Sequence, residues 1–320
     1  MKLVLSRSQF SGRFPGPGSR RGIALMLVIF AVTFIGLIVV SLLQISQFSW
    51  EESSLERGKF QAKILAESGV AMASHPKIER GDPLLRREYP DGRKLEVRIT
   101  SEGGRILVST LSEPLFIETT QELFIRWGLD ATQAATAAES LADWVDSDRE
   151  ARTNGAETDF YTTLEYPDFP ANEPFTNLDQ MLLVRGMDQV AKVQPRWRDY
   201  FTLYGDGTID VNAAPADLIE AFFGSTPDAA LSLVGTRAGN DLIEGTEDDY
   251  RFESFDEVKV LLGMAEDQWS RVSADISLEN ATRRIESTAS IGDTYVYRLI
   301  VLTEGADDKS VGTPVARINE

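Results

Sequence analysis

The sequence predicts an α+β protein: a long N-terminal transmembrane helix packed on an antiparallel sheet, with a large all-helical domain inserted between two parts of that sheet. Three observations predict it. Residues Ile23 to Leu43 are apolar apart from Thr33 and Ser41, and no charge appears until Glu51. Alternating apolar and polar residues occur before residue 113 and again after residue 283, the period of strands. The residues between them carry helix-period stretches punctuated by glycine.

Composition narrows the chemistry. The 320 residues include no cysteine, which excludes a disulfide framework, a thiolate zinc site and a cysteine nucleophile. The net charge is -18. Residues 1–22 hold Lys2, Arg7, Arg13, Arg20 and Arg21 and no acid, so the remainder stands at -23 once those 5 charges are set aside. A body this acidic repels nucleic acid and anionic lipid and attracts cations.

The first 22 residues are basic and rich in Ser, Gly and Pro, with Pro15 and Pro17 set against helix. Positive charge before an apolar run holds that end on the cytoplasmic side. At about 1.5 Å per residue the run from Ile23 crosses a hydrocarbon core of about 30 Å. A secretory signal peptide has a shorter apolar region followed by an Ala-x-Ala site, whereas Leu-Gln-Ile-Ser-Gln-Phe-Ser-Trp follows here. The helical pattern continues past Glu51, with Ala62, Leu65, Ala66, Gly69, Val70 and Ala73 on one face, and ends at His75-Pro76. Such a helix would be about 80 Å long.

Arg20-Arg21-Gly22 before a hydrophobic helix that continues as an amphipathic one resembles a type IV pilin-like signal. The resemblance implies that a prepilin peptidase cuts after Gly22 and that Ile23 becomes the mature, N-methylated terminus. Most such proteins carry Glu at the fifth mature position, where it pairs with the N-terminal amine of a neighbouring subunit; here the position is Leu27. An unpaired charge in an apolar filament core is costly. A subunit without it suits the tip. In this the chain resembles the minor pseudopilin K family of type II secretion. That resemblance implies a single-pass protein of the bacterial inner membrane, with a cytoplasmic N-terminus and most of the chain in the periplasm. It also implies I- and J-type minor pseudopilins and an inner-membrane secretion platform as partners, and a role in starting pseudopilus assembly for export.

Lys94 to Thr100 and Arg105 to Thr110 alternate on either side of Ser-Glu-Gly-Gly, which predicts a β-hairpin turning at Gly103-Gly104. Glu122 to Val145 is helical, and Gly128 predicts two helices rather than one. Residues 175–187 and 252–264 repeat each other: Asn177 and Ser254 stand as N-caps and Gly186 and Gly263 as stops. Residues 207–218 open another helix. These units resemble helix-hairpin-helix and SAM-like modules, and a membrane-anchored DNA-binding competence protein is the alternative reading. Phe175 to Ser277 holds 8 basic and 19 acidic residues, a balance of -11, and phosphate binding requires the opposite sign. The reading is therefore no nucleic acid.

Two acidic loops are candidate metal sites. In the first, Asp146, Asp148, Glu150 and Glu157 fall at positions 1, 3, 5 and 12 of an EF-hand count, with Asp159 just beyond and Ala151 where that loop needs glycine. The run Asp-Trp-x-Asp…Gly-Ala-Glu…Tyr also resembles the pseudopilin K family, which implies Ca2+. The second, residues 239–250, offers Asp241, Glu247, Asp248 and Asp249. Solvated acidic loops are the alternative in both places. Magnesium is less suited, since it prefers fewer protein ligands.

Arg284 to Ile291 and Thr294 to Leu302 flank Gly292-Asp293 as a second hairpin, and Ser310 to Ile318 adds a strand. The organisation is then a leader (1–22), the long helix (23–75), the first part of a pilin-like α/β domain (76–117), the inserted helical domain (118–283) and the closing strands (284–320). No Gly-x-Ser-x-Gly elbow, phosphate loop or His-Glu-x-x-His occurs, and the one histidine, His75, stands at a helix end. The reading is a structural assembly protein with no catalytic residues; an anchored periplasmic hydrolase is the third possibility.

Overall fold

Small residues on the outer part of the first helix determine how closely it meets the sheet. Ala62, Ala66 and Ala73 are fully buried and Leu65 nearly so. Between them a Cβ on Gly69 would lie 2.4 Å from Ser287 Oγ and 2.8 Å from Val97 Cγ2. A larger stripe would hold the helix off the strands. This helix, α1, spans Gly18–Ala73 in the computed structural model, which describes residues 18–166, 168–292, 294–305 and 312–319. Most of the basic leader, Asp293 and Ser310 therefore lie outside the described residues.

The chain divides into two compact units, residues 1–58 and 59–320. In the first, Ile23–Gln44 is a helical stretch of 22 residues, apolar and long enough to span a membrane. Its side chains face outward, Leu27 among them.

In the second unit, β1 (Arg86–Glu88), β2 (Arg93–Ser101) and β3 (Ile106–Leu107) follow α1. A helical block comes next: α2 (Pro114–Arg126), α3 (Ala131–Val145), α4 (Thr158–Thr163), α5 (Met187–Val193), α6 (Ala216–Phe223), α7 (Pro227–Arg237), α8 (Phe255–Leu262) and α9 (Glu266–Val272). Short strands β4 (Phe201–Thr202), β5 (Ile209–Asp210) and β6 (Ile276–Ser277) lie within or beside it. The long strands β7 (Thr282–Ile291), β8 (Tyr295–Glu304) and β9 (Thr313–Asn319) close the chain.

The main sheet has the order β1-β2-β7-β8-β9 and is antiparallel throughout. Leu95 pairs with Ala289, Val97 with Ser287 and Ile99 with Ile285, and Leu299 and Val301 continue the rows on β8. These residues share one core with Leu65, Ala66 and Ala73 of α1. The C-terminal hairpin and last strand expected from alternation are β7, β8 and β9, with Gly292 at φ +57° in the turn.

The first expected hairpin is not formed. β2 pairs with β1 and β7, residues 102–104 form a turn of 3-10 helix, and Ile106–Leu107 runs parallel to β4. The turn that reverses the chain is Tyr89-Pro90-Asp91-Gly92, with Gly92 at φ +81°. Gly103 and Gly104 serve close approach instead: a Cβ on Gly104 would lie 2.6 Å from the Ala213 carbonyl oxygen. Alternation continued across them because Ile106 and Val108 face a different core.

That core belongs to the helical block and runs from Ile106, Val108, Leu111 and Phe116 to Ile276. The two-helix expectation for residues 122–145 holds, with Gly128 at φ +108° between α2 and α3. Ser254 caps α8 and Gly263 ends it. Asn177 also caps, but the element it opens is 3-10 helix, and Gly186 at φ +88° leads directly into α5. The segment 207–218 opens α6 as expected.

Two carboxylates join the helical block to the sheet. Glu102, 3% exposed, accepts from Thr202 Oγ1 at 2.7 Å and from Arg284 Nη1 at 3.1 Å, with Arg105 Nη1 at 3.4 Å. Glu244 meets Arg237 and, at 3.6 Å, Arg98 of β2, while its carbonyl accepts from Arg86 at 3.2 Å. Losing one member of so buried a group as Glu102 and Arg284 leaves an uncompensated charge, a cost of about 3–5 kcal/mol.

Candidate metal centre

Glu139, Asp143 and Asp146 recur along α3 at i, i+4 and i+7, so they share one helix face. The loop that follows folds back on that face. Arg152 Nη1 donates to Asp143 Oδ1 at 2.6 Å and also to Asp146. Glu139 accepts from Asn154 N at 2.7 Å and from Asn154 Nδ2 at 2.8 Å. Gly155 permits the fold-back, because a Cβ there would stand 1.9 Å from Asp143 Oδ2. Arg185 donates to the Gly155 carbonyl at 3.0 Å and stacks its guanidinium 4.6 Å from the centre of the Phe160 ring. Beneath lies a packed aromatic floor of Trp144, Tyr161, Phe169 and Phe175.

The fold-back brings Asp146, Asp148 and Glu157 together, with one carboxylate oxygen of each within 4.8 Å of the others. Glu157 is 4% exposed, and neither of its side-chain oxygens has a hydrogen-bond partner; Asp146 Oδ1 has none either. Burial, reinforced by the negative Asp143, pushes the Glu157 carboxyl up to about 7. Burial likewise raises Asp143, against the pull of Arg152. Asp143, Asp146, Asp148 and Glu157 crowd together here, and among the described residues Arg152 pairs with Asp143 and Asp146 while Glu157 has no ion-pair partner. Unpaired, buried carboxylate oxygens are expensive, and a hard divalent cation with oxygen ligands would satisfy them. The residues present therefore fit Ca2+: Asp146, Asp148 and Glu157 would hold it, and it would supply charge neutralisation and loop cross-linking rather than reaction chemistry.

The other expected ligands fall elsewhere. Asp159 is exposed in the first turn of α4, where its charge suits the helix N-terminus. In the second loop Asp241, Glu247, Asp248 and Asp249 are all exposed. Asp248 Oδ2 accepts from Asn240 N at 2.6 Å and Asp241 N at 3.2 Å, Asp249 Oδ2 from Gly245 N at 2.6 Å, and Asp241 Oδ1 from Ile243 N at 2.8 Å. Gly22 lies within α1 and Ile23 is exposed. Asp143 and Arg152, which position the first loop, were not among the expected site residues. The spacing of Glu139, Asp143 and Asp146 is the signal that could have found Asp143.

Residues 107–204 match the family model for type II secretion system protein K. The chain is 24% identical over 253 residues to the type II secretion system protein K of Klebsiella pneumoniae, which covers 68% of this chain and 73% of that protein. It is 35% identical over 75 residues to the protein of the same description from Dickeya chrysanthemi, covering 23% of this chain and 20% of that one. A chain of the GspK-GspI-GspJ complex from the enterotoxigenic Escherichia coli type 2 secretion system shares its fold, with a TM-score of 0.60 and 15% identity over 85% of this chain and 99% of that one. The residues matched by the family model take in the first acidic loop and the first part of the helical block, and the comparisons together make this chain similar to type II secretion system protein K.

Proposed function

We propose that this minor pseudopilin occupies the tip of the pseudopilus, starts its assembly and contributes to export across the outer membrane, by packing rather than catalysis. The observation that carries the reading is Leu27. The helix Ile23–Gln44 has no carboxylate with which to pair the N-terminal amine of another subunit, so nothing favours a subunit stacked on it. I- and J-type minor pseudopilins are its partners, in line with the GspK-GspI-GspJ assembly formed by its structural relative. Anchoring is in the inner membrane with Arg20 and Arg21 on the cytoplasmic side. A prepilin peptidase cuts between Gly22 and Ile23, the new terminus is methylated, and the inner-membrane platform receives the product.

Calcium belongs to the same reading. The first acidic loop takes the tighter ion through Asp146, Asp148 and Glu157, supported by the unpartnered oxygens of Glu157. The second loop takes a weaker one, since its own amides already occupy much of its carboxylate surface.

The test is to express the chain, labelled, with the other pseudopilins and image the fibres. Label confined to one end, chain beginning at Ile23, and loss of fibres without the chain are expected. Label repeated along the shaft would overturn the tip reading.

A further inference from the structure

The first acidic loop carries a cation of its own. Arg152 bridges two carboxylates: its Nη1 donates to Asp143 Oδ1 at 2.6 Å and to Asp146 Oδ2. Asp143 is fully buried, and Asp146 belongs to the trio with Asp148 and Glu157. The guanidinium therefore takes one oxygen of Asp146 and leaves the other, Oδ1, without a donor, as both oxygens of the buried Glu157 are.

The neighbouring arginines do not share this position. Arg185 donates to the Gly155 carbonyl and covers the Phe160 ring. Arg149 lines the cavity of about 920 Å³ that Glu157 opens onto. It is exposed and, among the described residues, pairs with none of the four carboxylates. Arg152 is not among the residues lining that cavity, so it stands beside the cluster without blocking its mouth.

Two effects of Arg152 on a bound cation oppose each other. Its charge repels the cation, and its hydrogen bonds hold the loop in place. The holding does not depend on the side chain alone. The Arg152 backbone N–H donates to Asp143 Oδ2 at 3.2 Å, and Asn154 ties the loop to Glu139 through bonds of 2.7 and 2.8 Å. These survive a change of side chain at position 152. A unit charge a few ångströms away in a half-buried setting changes an ion's affinity by about tenfold or more, so repulsion is the larger effect.

We infer that Arg152 sets the affinity of the first acidic loop for a divalent cation: by pairing with Asp143 and Asp146 it cancels one of the cluster's charges, and the loop binds more weakly than its carboxylates alone would. The inference rests on the calcium reading of this loop, and ligand charge is one of the means by which oxygen-ligand loops tune affinity. The loop then closes on the ion only where the ion is abundant, and Asp143 keeps a counter-charge when the site is empty.

The full chain in detergent micelles is titrated with Ca2+ by calorimetry, and its melting temperature is measured in EDTA and in saturating Ca2+. Arg152→Gln is expected to tighten the stronger calcium binding by about tenfold or more. It melts below the parent in EDTA, since Asp143 loses its counter-charge, yet gains more from Ca2+ than the parent does. Arg152→Lys keeps the charge and stays close to the parent in affinity. Arg149→Gln removes an exposed, screened charge and tightens binding less than Arg152→Gln. Adding Glu157→Gln to Arg152→Gln abolishes the gain, which places it in this loop. A merely structural Arg152 gives a different pattern: Arg152→Gln melts lower and binds Ca2+ no tighter, and that result overturns this inference alone. An Arg152→Gln chain that fails to fold even in Ca2+ overturns it as well, because the backbone and Asn154 bonds would then not suffice to hold the loop. No saturable calcium heat from the parent chain would remove the calcium reading and this inference with it.

Discussion

The two acidic loops look alike as sequence and are opposite as structure. Around Glu157 two carboxylates, its own and that of Asp143, are buried against aromatic and alanine packing, and both oxygens of Glu157 are left with no donor. Around Asp248 they stay in solvent and are clothed by amides of their own loop. The difference teaches that density of acids does not measure demand for a cation. Demand comes from buried oxygens that the protein itself leaves unsatisfied.

The largest test of this contrast is calcium removal. EDTA is expected to lower the melting temperature of the detergent-solubilised chain. The loss is about 4 kcal/mol where calcium had stood a thousandfold above its dissociation constant. Glu157→Gln abolishes most of that response, whereas Asp249→Asn leaves most of it. An EDTA-insensitive melt together with no calcium heat would remove the metal reading altogether.

Next comes pH. With metal absent, the Glu157 carboxyl stands at about 7 in the folded chain against 4.5 in the reference state. Between those values the folded form keeps a proton that the unfolded form has released. Its contribution is fully present below 4.5 and lost as pH rises through about 7, by about 3 kcal/mol in total. Denaturant melts in EDTA at pH 5 and pH 8 should show that fall, and Glu157→Gln should flatten it. Saturating calcium reverses the sign, because the ion needs the carboxylate ionised. A metal-free stability that climbs from pH 5 to pH 8 by this group would contradict the buried placement of Glu157.

The smallest effect belongs to the second loop. Asp248→Asn removes the charge from acceptors that serve Asn240 N and Asp241 N. Its melting temperature in EDTA should fall by less than either change above. A loss equal to that of calcium removal would erase the contrast between the loops.

Much of this was legible in the residues. The closing strands, the break at Gly128 and the caps Asn177 and Ser254 are local signals, and local physics decides them. The hairpin expected at Gly103-Gly104 failed because its evidence was local and its cause is not: those glycines admit Asn280 and the Ala213 carbonyl from far along the chain. The grouping of Asp146, Asp148 and Glu157 in the first acidic cluster was legible. That Asp159 stands apart and that Arg152 binds Asp143 depends on how the loop folds back over α3, which spacing alone does not fix.

The pairing of Ser101 with Arg283 has a consequence for how such a chain could have been put together. β2 and β7 are antiparallel neighbours, so residues 102–281 are topologically nothing more than the loop of a hairpin. Take that loop away and β1, β2, β7, β8 and β9 remain a plain meander, each strand beside the next. The entropy of closing a loop rises only with the logarithm of its length, about 0.6 kcal/mol for each doubling. A meander whose register is set by its own rows of Leu95, Val97 and Ile99 can therefore carry a passenger of almost any size at that one corner.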